Sequence, residues 1–180
     1  YPRTETSAEA YYLLGQLYLS ELWNPSIAKE KFSQVKKEYN RTEYGPFCDS
    51  KIKAIDKYID ALASLKKYDV KLDTLSNDSI KVDSTKIVDE MPKKPLQELL
   101  YLIGDIEAFS FERVDSGIVY FERILEEDSS SQYYPKALFT LSMIFAELAD
   151  SLKLDYYSSL LKTEFPASDY TSYLFDNENI

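Results

Sequence analysis

The chain has 180 residues, 44% hydrophobic and 14% aromatic, which is enough apolar surface to close a core and excludes a globally disordered polymer. It contains no His, one Cys and four Gly, so the residues most used for acid–base catalysis, soft-metal ligation and phosphate-cradling loops are missing or scarce. A formal charge of −10 repels polyanions and anionic lipid surfaces, which argues against nucleic acid as a partner.

In chain order, Tyr1-Pro2-Arg3-Thr4 reads as the tail of a preceding structural unit, and the chain is expected to begin in the middle of a longer array. Tyr11, Leu14, Gly15 and Tyr18 then recur at i, i+3, i+4 and i+7, which predicts a helix with these four facing inward. After the breaker Asn24-Pro25, Phe32 and Val35 continue a second helix. Small residues at Gly15 and Ala28 allow close approach of the two backbones, and the large rings Phe32 and Phe121 are expected to fill the groove between pairs. The same turning of the first helix leaves Glu9, Tyr12 and Gln16 together on another face.

Residues 43–65 carry the stripe Phe47, Ile52, Ile55, Ile59 and Leu62 of one long helix, with Cys48 read as a small buried residue and Pro46 in the tolerant first turn. A lone thiol forms no internal disulfide and leaves the redox compartment open. From 66 to 95 the composition shifts to Asp, Ser, Thr and Lys and closes with Met91-Pro92-Lys93-Lys94-Pro95, which reads as a flexible linker or loop insertion. A small hairpin pairing Val70-Lys71-Leu72 with Ile80-Lys81-Val82 is the alternative. Asp73, Asn77, Asp78 and Asp83 lack the Gly and the closing Glu of a calcium loop, so no metal or other cofactor is expected.

Beyond the insertion the first pattern returns. Shifting the chain by 89 positions without a gap superposes Glu9 on Glu98, Tyr12 on Tyr101, Leu13 on Leu102, Gly15 on Gly104, Phe32 on Phe121, Glu38 on Glu127, Tyr44 on Tyr133 and Pro46 on Pro135. Eight identities in 38 positions mark one unit occurring twice. A weaker third copy follows about 37 residues later, with Leu141-Ser142 for Ile103-Gly104 and Leu161 for Ile124; Thr42, Ser131 and Ser168 are read as helix caps. The longest apolar stretches are broken by Asp105 and Glu147, so no segment is expected to span a bilayer.

Charge is divided by the insertion. Residues 1–95 hold 16 basic and 15 acidic side chains, and residues 96–180 hold 5 and 16. One reading is a basic partner segment docking on the later units. The other is a solvated acidic face made by Glu122, Glu126, Glu127 and Asp128.

The alternation of large and small residues on two antiparallel helices, carried by Tyr11, Leu14, Gly15, Tyr18, Ala28, Phe32 and Val35, resembles the tetratricopeptide-repeat superfamily. Glu107 in place of Tyr18, Ser142 in place of Gly15 and Ser158 in place of Phe32 depart from the first unit. Unit ends such as Tyr39-Asn40-Arg41-Thr42 and Phe165-Pro166-Ala167-Ser168 are similar to bacterial cell-envelope members of that superfamily, the outer-membrane assembly lipoproteins of the BamD kind and the periplasmic Tol-Pal-associated repeat proteins. The resemblance implies an all-α superhelix of helix pairs with one long loop insertion: N-terminal helices over 1–65, the insertion over 66–95 and C-terminal repeats over 96–180. It also implies a periplasmic or outer-membrane-associated setting.

No spacing singles out a catalytic pair among the many carboxylates, and an enzyme is not expected. In the resembled family the first helices of successive units line a groove, which implies that Glu9, Tyr12, Gln16, Glu98, Tyr101, Asp105, Phe109, Lys136 and Met143 face a ligand there. The expected function is a non-catalytic scaffold that holds a protein or peptide segment. The alternative is an accessory or regulatory domain of a larger enzyme whose catalytic part lies outside this sequence. For Tyr12 and Tyr101, packing against the next unit is the competing assignment.

Overall fold

Thr4 opens the first helix. Its hydroxyl accepts from the Ser7 amide at 3.1 Å while the Thr4 amide donates to the Ser7 hydroxyl, a reciprocal cap that satisfies amides the helix itself leaves unpaired. The computed structural model describes residues 3–76, 92–127 and 129–176, and among them every regular element is helical. These are α1 (Glu5–Ser20), α2 (Pro25–Glu38), α3 (Gly45–Ser76), α4 (Leu96–Asp105), α5 (Val114–Leu125), α6 (Tyr133–Glu147), α7 (Ser151–Glu164) and α8 (Asp169–Asp176). A π-helical turn, Ile106–Ser110, extends α4. Each helix packs on the next in the chain, and α8 returns to both α6 and α7. The protein is an all-α stack of consecutively packed helices.

The duplication is visible in the turns. Trp23, Glu112 and Ala149 are the described non-glycine residues with positive φ, at 46°, 60° and 56°. They stand 89 and 37 positions apart, each in the turn between two helices of a pair. The following residue opens the second helix, and Asn24 and Asp150 cap it with their side chains on the amides of Ile27 and Lys153, both at 3.1 Å. Thr42, Ser131 and Ser168 also act alike, each hydroxyl accepting from the amide two residues on at 3.2 to 3.3 Å.

Gly15 and Gly104 are slots for Phe32 and Phe121. A β-carbon at either would come within 2.5 Å or 2.9 Å of the phenylalanine ring, so each ring lies on bare backbone. Ser142 takes the same place in the third copy, fully buried with its hydroxyl on the Leu138 carbonyl at 2.8 Å. There the large ring moves one residue along: Ser158 stands where a Phe is found in the other pairs, and Tyr157 stacks on Phe145 instead, 5.5 Å apart.

At Gly117 the approach is closer still. Its equivalent, Ala28, is fully buried yet accommodates a methyl, whereas a β-carbon on Gly117 would lie 2.6 Å from the Ala108 methyl and 2.8 Å from the Gly104 carbonyl oxygen. Backbone cannot swing aside as a side chain can. Gly117→Ala should therefore cost about 2 kcal/mol by overpacking, measured by urea unfolding; a neutral result would show that α4 and α5 can separate.

Two expectations need correction. Leu14, placed inward by periodicity, is 41% exposed; the buried residues of α1 are Ala8, Gly15 and Leu19. The periodicity fixes a face but not what covers it. The second concerns the insertion, expected from residue 66: α3 continues to Ser76, so the first arm of the alternative hairpin, Val70-Lys71-Leu72, is helical. Nothing between Lys66 and Ser76 breaks a helix, since Gly and Pro are both absent. Tertiary bonds add to this, as the Tyr68 hydroxyl donates to the Lys94 carbonyl at 2.8 Å and Arg123 pairs with Asp69 at 2.8 Å. The second arm, Ile80-Lys81-Val82, lies outside the described residues, as does most of the remaining insertion.

Candidate functional site

Facing side chains of α4 and α6 bring together six of the nine sequence-derived candidates. Helical spacing accounts for it: Tyr101, Asp105 and Phe109 recur every four residues along α4 and its π turn, and Lys136, Thr140 and Met143 follow one another at spacings of four and three on α6. The polar end is a cleft of about 270 Å³ lined by Glu98, Tyr101, Asp105 and Lys136 together with Lys94 and Tyr133. The apolar end is a cleft of about 590 Å³ formed by Phe109, Phe139, Met143, Ile144 and Ala146, with Glu147 at its edge. Thr140 belongs to the apolar cleft and its hydroxyl is 2.9 Å from that of Tyr101, a bond that joins the two ends.

Within the polar end, Lys136 lies over the Tyr101 ring, its Nζ 4.0 Å from the centroid, and Lys94 pairs with Glu98. Burial raises the Asp105 carboxyl above its ordinary value and the Lys136 charge draws it back only in part. No hydrogen bond or ion pair to Asp105 is found among the described residues, so its oxygens are available to an incoming cation. At the apolar end Phe109 is 53% and Met143 44% exposed, two large flexible or flat surfaces open to a ligand.

Glu9, Tyr12 and Gln16 gather elsewhere, around Tyr44. Tyr12 stacks on that ring at 4.7 Å, the Gln16 amide donates to the Tyr12 hydroxyl at 3.0 Å, and the Tyr44 hydroxyl reaches Glu9 at 3.4 Å. Tyr101 likewise rests on Phe121 and Tyr133, with centroids at 5.2 and 5.9 Å. Both tyrosines thus contribute packing as well as surface.

Sequence reasoning missed a buried knot at the junction of the two halves. Trp23, Tyr58 and Phe111 meet edge to face with centroids 5.3 to 5.8 Å apart, and the Arg113 guanidinium covers Trp23 at 3.4 Å. Under them Glu107, 2% exposed, accepts from the Tyr58 hydroxyl at 2.6 Å. Its other oxygen lies 3.1 Å from Arg113 Nε without making a hydrogen bond. Burial pushes the Glu107 carboxyl up, opposed by Tyr58 and Arg113, and pushes the Tyr58 hydroxyl up as well. The available signal was Glu107 itself, the residue that breaks the repeat pattern.

Burial raises the Cys48 thiol to about 11, so it stays protonated and a poor nucleophile near neutrality. Among the described residues no three Cys, Asp or Glu side chains converge as a metal site would need, and no helix is long and apolar enough to cross a membrane. Comparison with protein-family models, with curated proteins and with solved structures found no match to this chain.

Proposed function

We propose that the chain is a non-catalytic helical-repeat scaffold that holds an extended or helical peptide segment of another protein in the α4–α6 groove. The observation that supports this reading is a polar and an apolar cleft on the facing helices α4 and α6, with Tyr101 of the first hydrogen-bonded to Thr140 of the second. A groove with the half-buried Asp105 carboxylate at one end and an open aromatic–thioether surface at the other favours a segment that places a Lys or Arg beside an apolar side chain. The excess of acidic residues after position 95 supports the same polarity of partner. The likeness of the unit ends to bacterial envelope repeat proteins makes an envelope assembly the proposed setting.

The test is selection of a random peptide library displayed on phage against the immobilised protein. Enriched peptides should combine Lys or Arg with a large apolar residue. A Phe109→Asp, Met143→Asp variant, altered at exposed positions and so expected to unfold at an unchanged temperature, should bind them at least tenfold more weakly. Equal binding by that variant would remove the groove from the proposal.

A further inference from the structure

The internal duplication lets one junction between helix pairs be compared with the next. In the first junction Trp23, in the turn between α1 and α2, meets Tyr58 of α3 edge to face with ring centroids 5.7 Å apart. Under the 89-residue shift Trp23 becomes Glu112 and Tyr58 becomes Glu147. The surrounding backbone is kept. Both turn residues have positive φ, 46° and 60°, and the isoleucine three positions before the second member is buried in each copy, as Ile55 and Ile144. What differs is the filling. Two rings are exchanged for two slender carboxylates, and a cleft of about 300 Å³ lies between these and the apolar walls Ala108, Val114, Ile144 and Leu148. Neither wall is made by an end of the sequence, since α3 packs on α4 to one side and α8 on α6 to the other.

We infer that this cleft is a binding site for a small aromatic ammonium ion, a flat ring joined by a short chain to a protonated amine. The first copy identifies the ring, because an indole stands at the corresponding place there and the walls are apolar in the second. Charge identifies the amine. Glu112 and Glu147 line the cleft with no Lys or Arg among the lining residues. Lys51 reaches Glu112 from α3 at 3.6 Å and offsets one of the two charges, whereas Glu147 has no ion pair among the described residues. A ring held out of water beside a carboxylate selects a cation over an anion of the same shape. The volume is at the small end of ligand sites, which suits one ring and its amine rather than a peptide segment. The cleft adjoins the apolar end of the α4–α6 groove and shares Phe109 with it, but neither reading depends on the other.

Tryptamine is the probe, titrated calorimetrically into the full 180-residue protein. Saturable one-site binding is expected, weaker as salt is raised, with neutral indole and indole-3-acetate each binding less well. Glu112→Trp puts back the side chain of the first copy on a backbone that carries one there at a similar φ. It should weaken tryptamine by roughly tenfold or more by filling the cleft, with the unfolding temperature unchanged or raised. Glu147→Gln, altered at an exposed position, should weaken tryptamine by about threefold and leave indole unchanged. If Glu112→Trp lowers the unfolding temperature, the second variant is the deciding one, and equal tryptamine affinity there overturns the inference. So does the absence of saturable tryptamine binding, binding that survives Glu112→Trp in a stably folded variant, or indole-3-acetate binding as tightly as tryptamine. Binding of a Trp-containing peptide but not of tryptamine would assign the cleft to a partner's side chain and overturn it also.

Discussion

Phe121→Ala is expected to lose about 4 kcal/mol of stability, the usual cost of emptying a buried aromatic site, and to lower the unfolding temperature by roughly 10 °C for a chain of this size. The ring is completely buried, touches Tyr101 at 5.2 Å between centroids and lies in the slot left by Gly104. Removing it opens a cavity between α4 and α5 that fixed backbone cannot fill. Coupling to the glycine makes a sharper test. Gly104→Ala alone should destabilise, because its new methyl meets the ring at 2.9 Å. In the Phe121→Ala background the same methyl enters empty space, so its cost should vanish or reverse. Additive effects in a double-mutant cycle would show that slot and ring are not complementary.

Glu107→Ala is the second large effect, about 3 kcal/mol. The figure lies at the low end for breaking a buried ion pair because one partner keeps some solvent: Arg113 is a quarter exposed. Tyr58, by contrast, loses the carboxylate that accepts from its buried hydroxyl. The triple replacement Glu107→Leu, Tyr58→Phe, Arg113→Met should recover most of the loss, since an apolar set leaves no polar group stranded. Failure of that rescue would mean the aromatic arrangement itself depends on the carboxylate.

The same residue gives the pH dependence a sign. Burial raises the native Glu107 and Asp105 carboxyls above their ordinary values, so the folded chain holds these protons more tightly than the unfolded one. Their contribution to stability is complete below the unfolded value of about 4 and is lost as pH rises through the raised native values. Urea midpoints should therefore fall as pH rises from the ordinary carboxyl range through the raised native values, less steeply in Glu107→Ala. An identical slope in the variant would place the shift elsewhere.

How much of this was legible in the sequence follows from which interactions leave a periodic trace. The small sites Gly15 and Gly104 and the large rings Phe32 and Phe121 were readable because they recur at fixed spacing on both copies, but each ring, expected between pairs, lies on the glycine of its own pair. The groove residues named on α4 and α6 came instead from the family resemblance, and no periodic trace singles them out. Leu14 was misplaced because periodicity reports that a face is apolar without reporting whether a neighbour covers it. Helix α3 beyond Lys66 was missed because its polar composition resembles a linker, while the bonds made by Tyr68 and Asp69 join positions far apart in the chain. The Glu107 knot was invisible for a related reason. Its members come from two turns, one helix and a π turn, and no local pattern joins them.

Helix α3 repays comparison with its own counterpart. Under the 89-residue shift it corresponds to α6 and α7 together, and the turn at Ala149-Asp150 falls on Asp60-Ala61, inside the unbroken helix. Ala61 offers no oxygen to cap a new helix, whereas Asp150 does. One plan is therefore realised twice in a single polypeptide, once as a folded-back clasp and once as a rod some 48 Å long. The arm that would have doubled back is sent onward to brace the later copy, much as an opened hinge lets neighbouring molecules trade limbs.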